Sequence, residues 1–254
     1  MLTNIRYILL TALRDWLFAA LMIGVVACTL VAYMLGSIAL IETQEMTLAY
    51  TSASTRVIII VGLIIFTCFH VRSAFDTKEI DVFLSRPITR SNLVLSYWLG
   101  FSAVALLLVI PTVALIAVQG VLNWHGFFFW AASLLIECLL VVAIALFASF
   151  TLKSAVTSVM ASMGFYIFAR MMGFFVATSE SSYIFGKHWI NIALIYMLNF
   201  ISIIMPRLDF FSKSDWLIYG VKNIEDLKLF TIQAAVYVPL LIFATIVDFR
   251  RKQF

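Results

Sequence analysis

The chain alternates between long uncharged runs and short segments in which its charges are gathered. Between Trp16 and Ile41 there is no Asp, Glu, Lys or Arg. A shorter uncharged run, Val57–Val71, is bounded by Arg56 and Arg72, placed where basic side chains can snorkel to the membrane surface. From Ser91 to Ile136 the chain is again uncharged, broken by Gln119-Gly120 and Asn123-Trp124-His125-Gly126, which read as a turn between two passes. A helix needs roughly 20 apolar residues to cross a hydrocarbon core about 30 Å thick. The pattern therefore predicts six spans, at residues 16–41, 55–74, 96–118, 127–150, 156–178 and 229–248. These runs are too long and unbroken for barrel strands of about 10 alternating residues. The expected fold class is an all-α integral membrane protein, one transmembrane domain over residues 1–254.

Two features near the N-terminus need separate reading. In residues 1–15, Leu2, Ile5, Leu9, Ala12 and Leu13 recur at helical spacing, which predicts a short interfacial helix before the first span. Val25-Val26-Ala27-Cys28 resembles a lipoprotein processing box. The apolar stretch around it exceeds the roughly 7–15 residues of a signal core, so a retained first helix is expected.

Composition agrees with a lipid solvent. Of 254 residues, 64% are hydrophobic and 12% charged, and the mean hydropathy is +1.08. A soluble domain carries about 25% charged residues, and disorder requires low hydrophobicity, so both classes are excluded. Ten glycines and four prolines exclude a collagen-like chain.

The signs of the charges orient the spans. With the N-terminus inside and six passes, Arg6, Arg14, Arg72, Lys78, Arg86, Arg90, Lys153, Arg250, Arg251 and Lys252 all fall inside. The short outer loops keep almost nothing basic: Arg56 stands near Glu42 and Glu45, and no Lys or Arg falls between Gln119 and Gly126. A seventh crossing at 190–206 would carry the Arg250-Arg251-Lys252 tail outside. Residues 179–228 are therefore expected to be an outer segment with a re-entrant or interfacial helix, folded against the bundle. The net charge of +4 is largely this orientation signal, and no nucleic-acid partner is expected.

No catalytic, cofactor-binding or metal residue is assigned. Cys28, Cys68 and Cys138 fall in three different spans, and His70, His125 and His188 are ungrouped near span ends. There is no G-x-x-x-x-G-K-[ST], H-E-x-x-H or G-x-S-x-G motif. Trp16, Tyr97, Trp98, Trp124, Trp130 and Trp189 read as interface anchors, and Phe127-Phe128-Phe129 as lipid-facing.

The loop at 76–95 carries more information. Across Asp76-Thr77-Lys78-Glu79-Ile80-Asp81-Val82-Phe83-Leu84-Ser85, the residues Ile80, Phe83 and Leu84 stand at i, i+3 and i+4, an apolar stripe on a charged turn of helix. Arg86-Pro87 ends it, and Thr89 or Ser91 can cap the next helix. Such a helix suits docking to a cytosolic protein, or anchoring of the loop at the interface.

The run from Glu79 through Ser85-Arg86-Pro87-Ile88-Thr89-Arg90-Ser91 to Leu99-Gly100 resembles the first cytosolic loop of type-2 ABC exporter permeases. Met205-Pro206-Arg207-Leu208-Asp209-Phe210 and the Phe249-Arg250-Arg251-Lys252 tail extend the resemblance. Lys78-Glu79 stands where the family often has Gly-Thr, and Ser96-Tyr97 where it often has Gly-Lys. The resemblance implies an ATP-driven export permease with an ATPase-coupling interface at Glu79, Ile80, Asp81, Phe83, Leu84, Ser85, Arg86 and Pro87. It further implies two cytosolic ABC ATPase subunits holding ATP and Mg, with no cofactor in this chain. A second permease copy or a homologous permease would complete the path, with room for an extracytoplasmic accessory protein. The expected location is a bacterial inner membrane with both termini cytoplasmic. The alternatives are a non-ABC carrier or channel, and a membrane-embedded assembly or structural factor.

Two charges fall inside predicted spans. Glu137 and Arg170 lie on consecutive antiparallel helices, each about 10–15 Å below the outer surface at 1.5 Å per residue. They form either a structural pair or a polar element of the substrate path. Ser154, Ser158 and Ser162, at steps of four, make a small-residue ridge suited to close helix packing. The resemblance leaves open a path-lining role for it as well.

Overall fold

The computed structural model describes residues 2–38, 42–80, 89–180, 196–198, 200–201, 205–211, 213–221 and 225–251. The long elements are α1 (Leu2–Arg14), α2 (Trp16–Ile38), α3 (Thr43–Asp76), α4 (Arg90–Val118), α5 (Trp124–Thr151) and α6 (Ala155–Glu180). A 3-10 turn (Leu208–Phe211), the short α7 (Asp215–Tyr219) and α8 (Glu225–Arg251) follow. No strand occurs among the described residues. Six helices, α2 to α6 and α8, are long and apolar enough to cross a membrane. The chain is an all-α, multi-pass membrane protein. One end of the bundle gathers Arg14, Asp76, Arg90, Lys153 and Arg251 and is called the basic face below; the other is the far face.

Local chemistry sets the breaks. Asp15 separates α1 from α2, its Oδ1 accepting from the Leu17 amide at 3.1 Å. Thr89 caps α4 through Oγ1, which accepts from the Asn92 amide at 3.3 Å, and Asn123 caps α5 by accepting from the Gly126 amide at 3.0 Å. Between α4 and α5 the chain turns through Gly120 at φ 97°, a conformation that glycine adopts without steric cost.

The helix α3 extends well before residue 55, because its polar first half satisfies itself. Thr51 Oγ1 donates to the Thr47 carbonyl at 2.8 Å, and Thr55 Oγ1 to the Thr51 carbonyl at 2.6 Å. Each hydroxyl finds its acceptor one turn back, so the run stays helical and buried.

The centre of the bundle is α5, buried on most of its circumference against α3, α4, α6 and α8. α1 lies along α4, with Ile8 and Ala12 buried and Arg6, Leu10 and Leu13 exposed. Gly100 permits that approach: a Cβ there would sit 2.6 Å from Ile8 Cδ1. α2 is peripheral and buries one stripe, Val25, Thr29, Ala32 and Gly36, toward α3. Its other residues form an apolar outer surface.

Residues 179–228, expected as an outer segment, are described only in part. Within it, Leu208, Phe211, Trp216 and Leu217 are buried against the bundle. α7 packs so tightly on the start of α5 that a Cβ on Gly126 would overlap the Trp216 carbonyl oxygen. Most of 190–206, where a re-entrant or interfacial helix was expected, lies outside the described residues.

Candidate functional site

Three helices and the 3-10 turn converge on Glu137. It sits in α5 with no solvent exposure, as deep from the far-face end Trp124 as Arg56 lies from Thr43 in α3, about 20 Å along each axis. Glu137 Oε2 accepts from Arg56 Nη1 at 2.5 Å. Glu137 Oε1 accepts from the Tyr166 hydroxyl at 2.9 Å and from Arg170 Nη1 at 3.2 Å, both from α6. Arg170 Nη1 also donates to the Tyr166 oxygen at 3.1 Å.

Arg56 is 1% exposed and fully engaged. Beyond Glu137 it donates to the Phe211 carbonyl at 2.7 Å and to Ser133 Oγ at 3.0 Å, and its guanidinium lies 5.3 Å from the centre of the Trp130 ring. A charge removed from water is stable only when paired and hydrogen-bonded, and this arginine meets both conditions. The network lies where two apolar clusters adjoin, one including Trp130 and Leu134, the other Tyr166, Ala169 and Phe211.

Several expectations are corrected here, among them Tyr97, which was expected as an interface anchor and is buried in the core. Arg56 does not snorkel to a surface; it pairs with Glu137 in the interior. Trp130 is not an interface anchor but a fully buried wall of the arginine site. The error at Arg56 came from treating it as the end of an apolar run, the error at Trp130 from reading it by its residue type alone. The signal that places Arg56 correctly is Thr47, Thr51 and Thr55, a hydroxyl stripe at steps of four that carries the helix past it. Phe127 is likewise buried, whereas Phe128 is exposed.

The serine ridge is divided. Ser158 and Ser162 are buried and Ser154 is exposed. Ser158 Oγ donates to the Ala148 carbonyl of α5 at 3.3 Å, and Ser162 Oγ lies 3.9 Å from Cys68 Sγ of α3. The buried pair thus lets α6 approach both neighbours. All three cysteines are free thiols, and no group of His, Cys, Asp and Glu among the described residues could hold a metal ion.

At the basic face, four rings from four helices interlock. The Phe150 centroid is 5.4 Å from Phe75, 6.2 Å from Tyr97 and 5.1 Å from Phe249, each pair close to edge-on. The described chain runs to Ile80 here and resumes at Thr89. Both ends are tied down. Glu79 accepts from the Tyr7 hydroxyl of α1 at 3.4 Å. Arg90 Nη1 donates to the Phe249 carbonyl at 2.9 Å and the Arg250 carbonyl at 3.3 Å, capping α8. Arg250 Nη2 returns a bond to Ser91 Oγ at 3.1 Å.

Ile80, expected on an exposed docking stripe, is 1% exposed and belongs to the core. It holds the segment to the bundle rather than offering surface to a partner. Asp81, Phe83, Leu84, Ser85, Arg86 and Pro87 lie outside the described residues. Just before them Lys78 has φ 59°, in the left-handed region that favours glycine.

A family model described as "ABC-2 family transporter protein" matches residues 75–249, more than half of the chain. No curated protein matches it.

Proposed function

The chain belongs to the ABC-2 transporter family, and from that membership we propose that it is the transmembrane permease subunit of an ATP-driven ABC exporter. Its basic face would be cytoplasmic, with both termini inside a bacterial inner membrane, in keeping with the gathering of Lys and Arg at that end. Two copies, or one copy with a homologous permease, would enclose the path. Two cytosolic ATPase subunits would bind ATP and Mg and supply all the chemistry. This chain contributes the path and the means of moving it.

The observation that carries the coupling role is the anchoring of the 79–90 segment at both ends. Tyr7 holds Glu79, and Arg90 holds the end of α8 beside the ring cluster of Phe75, Tyr97, Phe150 and Phe249. A partner pressing on the segment would therefore displace helix ends together instead of bending a loose loop. Phe83 and Leu84 are the residues best suited to seat in an ATPase groove, since Ile80 is spent in the core.

The test is co-purification of the full chain with its ABC ATPase, followed by ATP hydrolysis in the reconstituted complex. Phe83→Asp or Leu84→Asp should abolish association or uncouple hydrolysis while leaving the permease folded. An ATPase that never associates with the wild-type chain, or that ignores both changes, defeats the proposal.

A further inference from the structure

Glu137 is shared by two arginines that are not in the same state. Arg56 uses both terminal nitrogens on Glu137, Phe211, Ser133 and Trp130. Arg170 uses only Nη1, on Glu137 and Tyr166, and its side chain is 27% exposed. Its Nε and Nη2 donors have no partner among the described residues. Two guanidiniums against one carboxylate leave one positive charge in excess, in a place where unpaired charge is costly and confined to positions facing protein or water.

Among the described residues no second carboxylate pairs with Arg170. Glu137 is the one acidic residue set deep within a span; the others lie near helix ends, in the 76–95 loop or in the outer segment. Asp209 comes near, its carboxylate pressed on Gly173 one turn beyond Arg170, but it is held by Arg207 at 3.0 Å. A second copy would bring the same imbalance. Arg207 and Asp209 cancel each other, so the nearby segment that docks against α6 supplies no net negative charge; Arg207 and Lys213 both lie over the Phe210 ring, at 4.3 and 5.8 Å.

We propose that Arg170 receives an anionic oxygen group, a carboxylate or phosphate, presented along the exposed flank of α6. A guanidinium already oriented through Nη1 offers its remaining donors as a planar fork, the geometry that recognises such groups. Glu137 and Tyr166 act as positioning residues. The inference rests on the permease reading only in taking the anion to be part of a transported molecule; binding itself requires no ATPase.

The experiment uses the full chain in phosphatidylcholine nanodiscs, with thermal unfolding followed during titration by dodecyl phosphate, inorganic phosphate and uncharged dodecyl maltoside. Dodecyl phosphate should raise the unfolding temperature and the maltoside should not. Arg170→Gln should weaken the apparent affinity about tenfold or more, as expected for loss of a charge-assisted bidentate contact. Arg14→Gln should match wild type. A second variant guards against misfolding of the first. Phe174→Glu places a carboxylate one turn from Arg170 on an exposed position, and should abolish the anion response while leaving the protein at least as stable.

A response to inorganic phosphate as well would mean that the anion arrives from water. A response to dodecyl phosphate alone would mean entry from the bilayer. Equal responses to charged and uncharged amphiphiles, no response to either anion, or a wild-type response in both Arg170→Gln and Phe174→Glu overturns the proposal. Failure of the permease reading would appear separately, as a chain that binds the anion but no ATPase.

Discussion

Arg56 and Glu137, 81 positions apart in sequence, form an ion pair from which solvent is almost wholly excluded. The pair joins α3 to α5, and Phe211 and Tyr166 attach the 3-10 turn and α6 to the same centre. Such a cluster contributes little net stability compared with an apolar replacement, but removing one member strands the others. Its value is in fixing which helix faces meet, since lipid tails give apolar helix surfaces little reason to choose one register over another.

Glu137→Gln should therefore be the most damaging single change at this centre. It leaves two guanidiniums facing a neutral amide, at a cost of about 3–5 kcal/mol. Arg56→Gln should cost less, because Arg170 and Tyr166 still satisfy the carboxylate. Thermal unfolding of the purified chain in detergent measures both. Unchanged stability in Glu137→Gln combined with lost transport would reassign the network from holding helices to handling substrate.

Two glycines with opposite surroundings make a paired prediction. Gly126→Ala drives a methyl group into the Trp216 carbonyl, a backbone atom that cannot step aside, and should separate α7 from the start of α5. A loss of about 2 kcal/mol or more is expected, as for other overpacked sites. Gly164 in α6 has nothing within 4 Å of an added Cβ, so Gly164→Ala should stabilise the helix by about 0.5–1 kcal/mol. Comparing the two unfolding temperatures checks the packing directly.

Arg90→Gln removes the cap on the last turn of α8. Its carbonyls at Phe249 and Arg250 then lose their side-chain donor. Hydrogen exchange should accelerate across residues 246–251 while the middle of α8 stays protected. Exchange that rises uniformly along α8 would show that Arg90 supports the whole helix and not its end.

Lys78→Gly should be neutral or stabilising, by up to about 1 kcal/mol, because a residue with a Cβ is held at φ 59° where glycine fits without strain. The measurement is again the unfolding midpoint. A clear loss would mean that the lysine side chain makes a contact worth more than the relief of strain.

The spans were legible because the charges are so few that each uncharged run marks a crossing. Glu137 and Arg170 stood out for the same reason, as charges that a run of lipid-soluble residues should not contain. Arg56 did not, since one basic residue at the margin of an apolar stretch looks the same whether it points to lipid headgroups or inward. Only its partners decide, and they come from Trp130, Ser133 and Phe211 on other elements. The amphipathic period of Ile80, Phe83 and Leu84 was legible as a pattern, yet periodicity does not say which apolar residue turns toward the bundle. Thr89 was readable as a cap because its chemistry is local. The resting place of α1 on α4, made by Ile8 against Gly100, is not local and had no signal in the period of α1 alone.

The ring cluster of Phe75, Tyr97, Phe150 and Phe249 draws members from α3, α4, α5 and α8, while α6 is joined to its neighbours through apolar contacts, hydroxyls and the charges at Glu137. Four helices clasped at one end would move together as a single lever arm. The fifth has no ring in that clasp and meets the others through apolar packing and the central carboxylate. A stroke delivered at the basic face would then be felt by α6 as a change in how firmly Glu137 grips Arg170, so that the lever and the latch meet in one carboxylate.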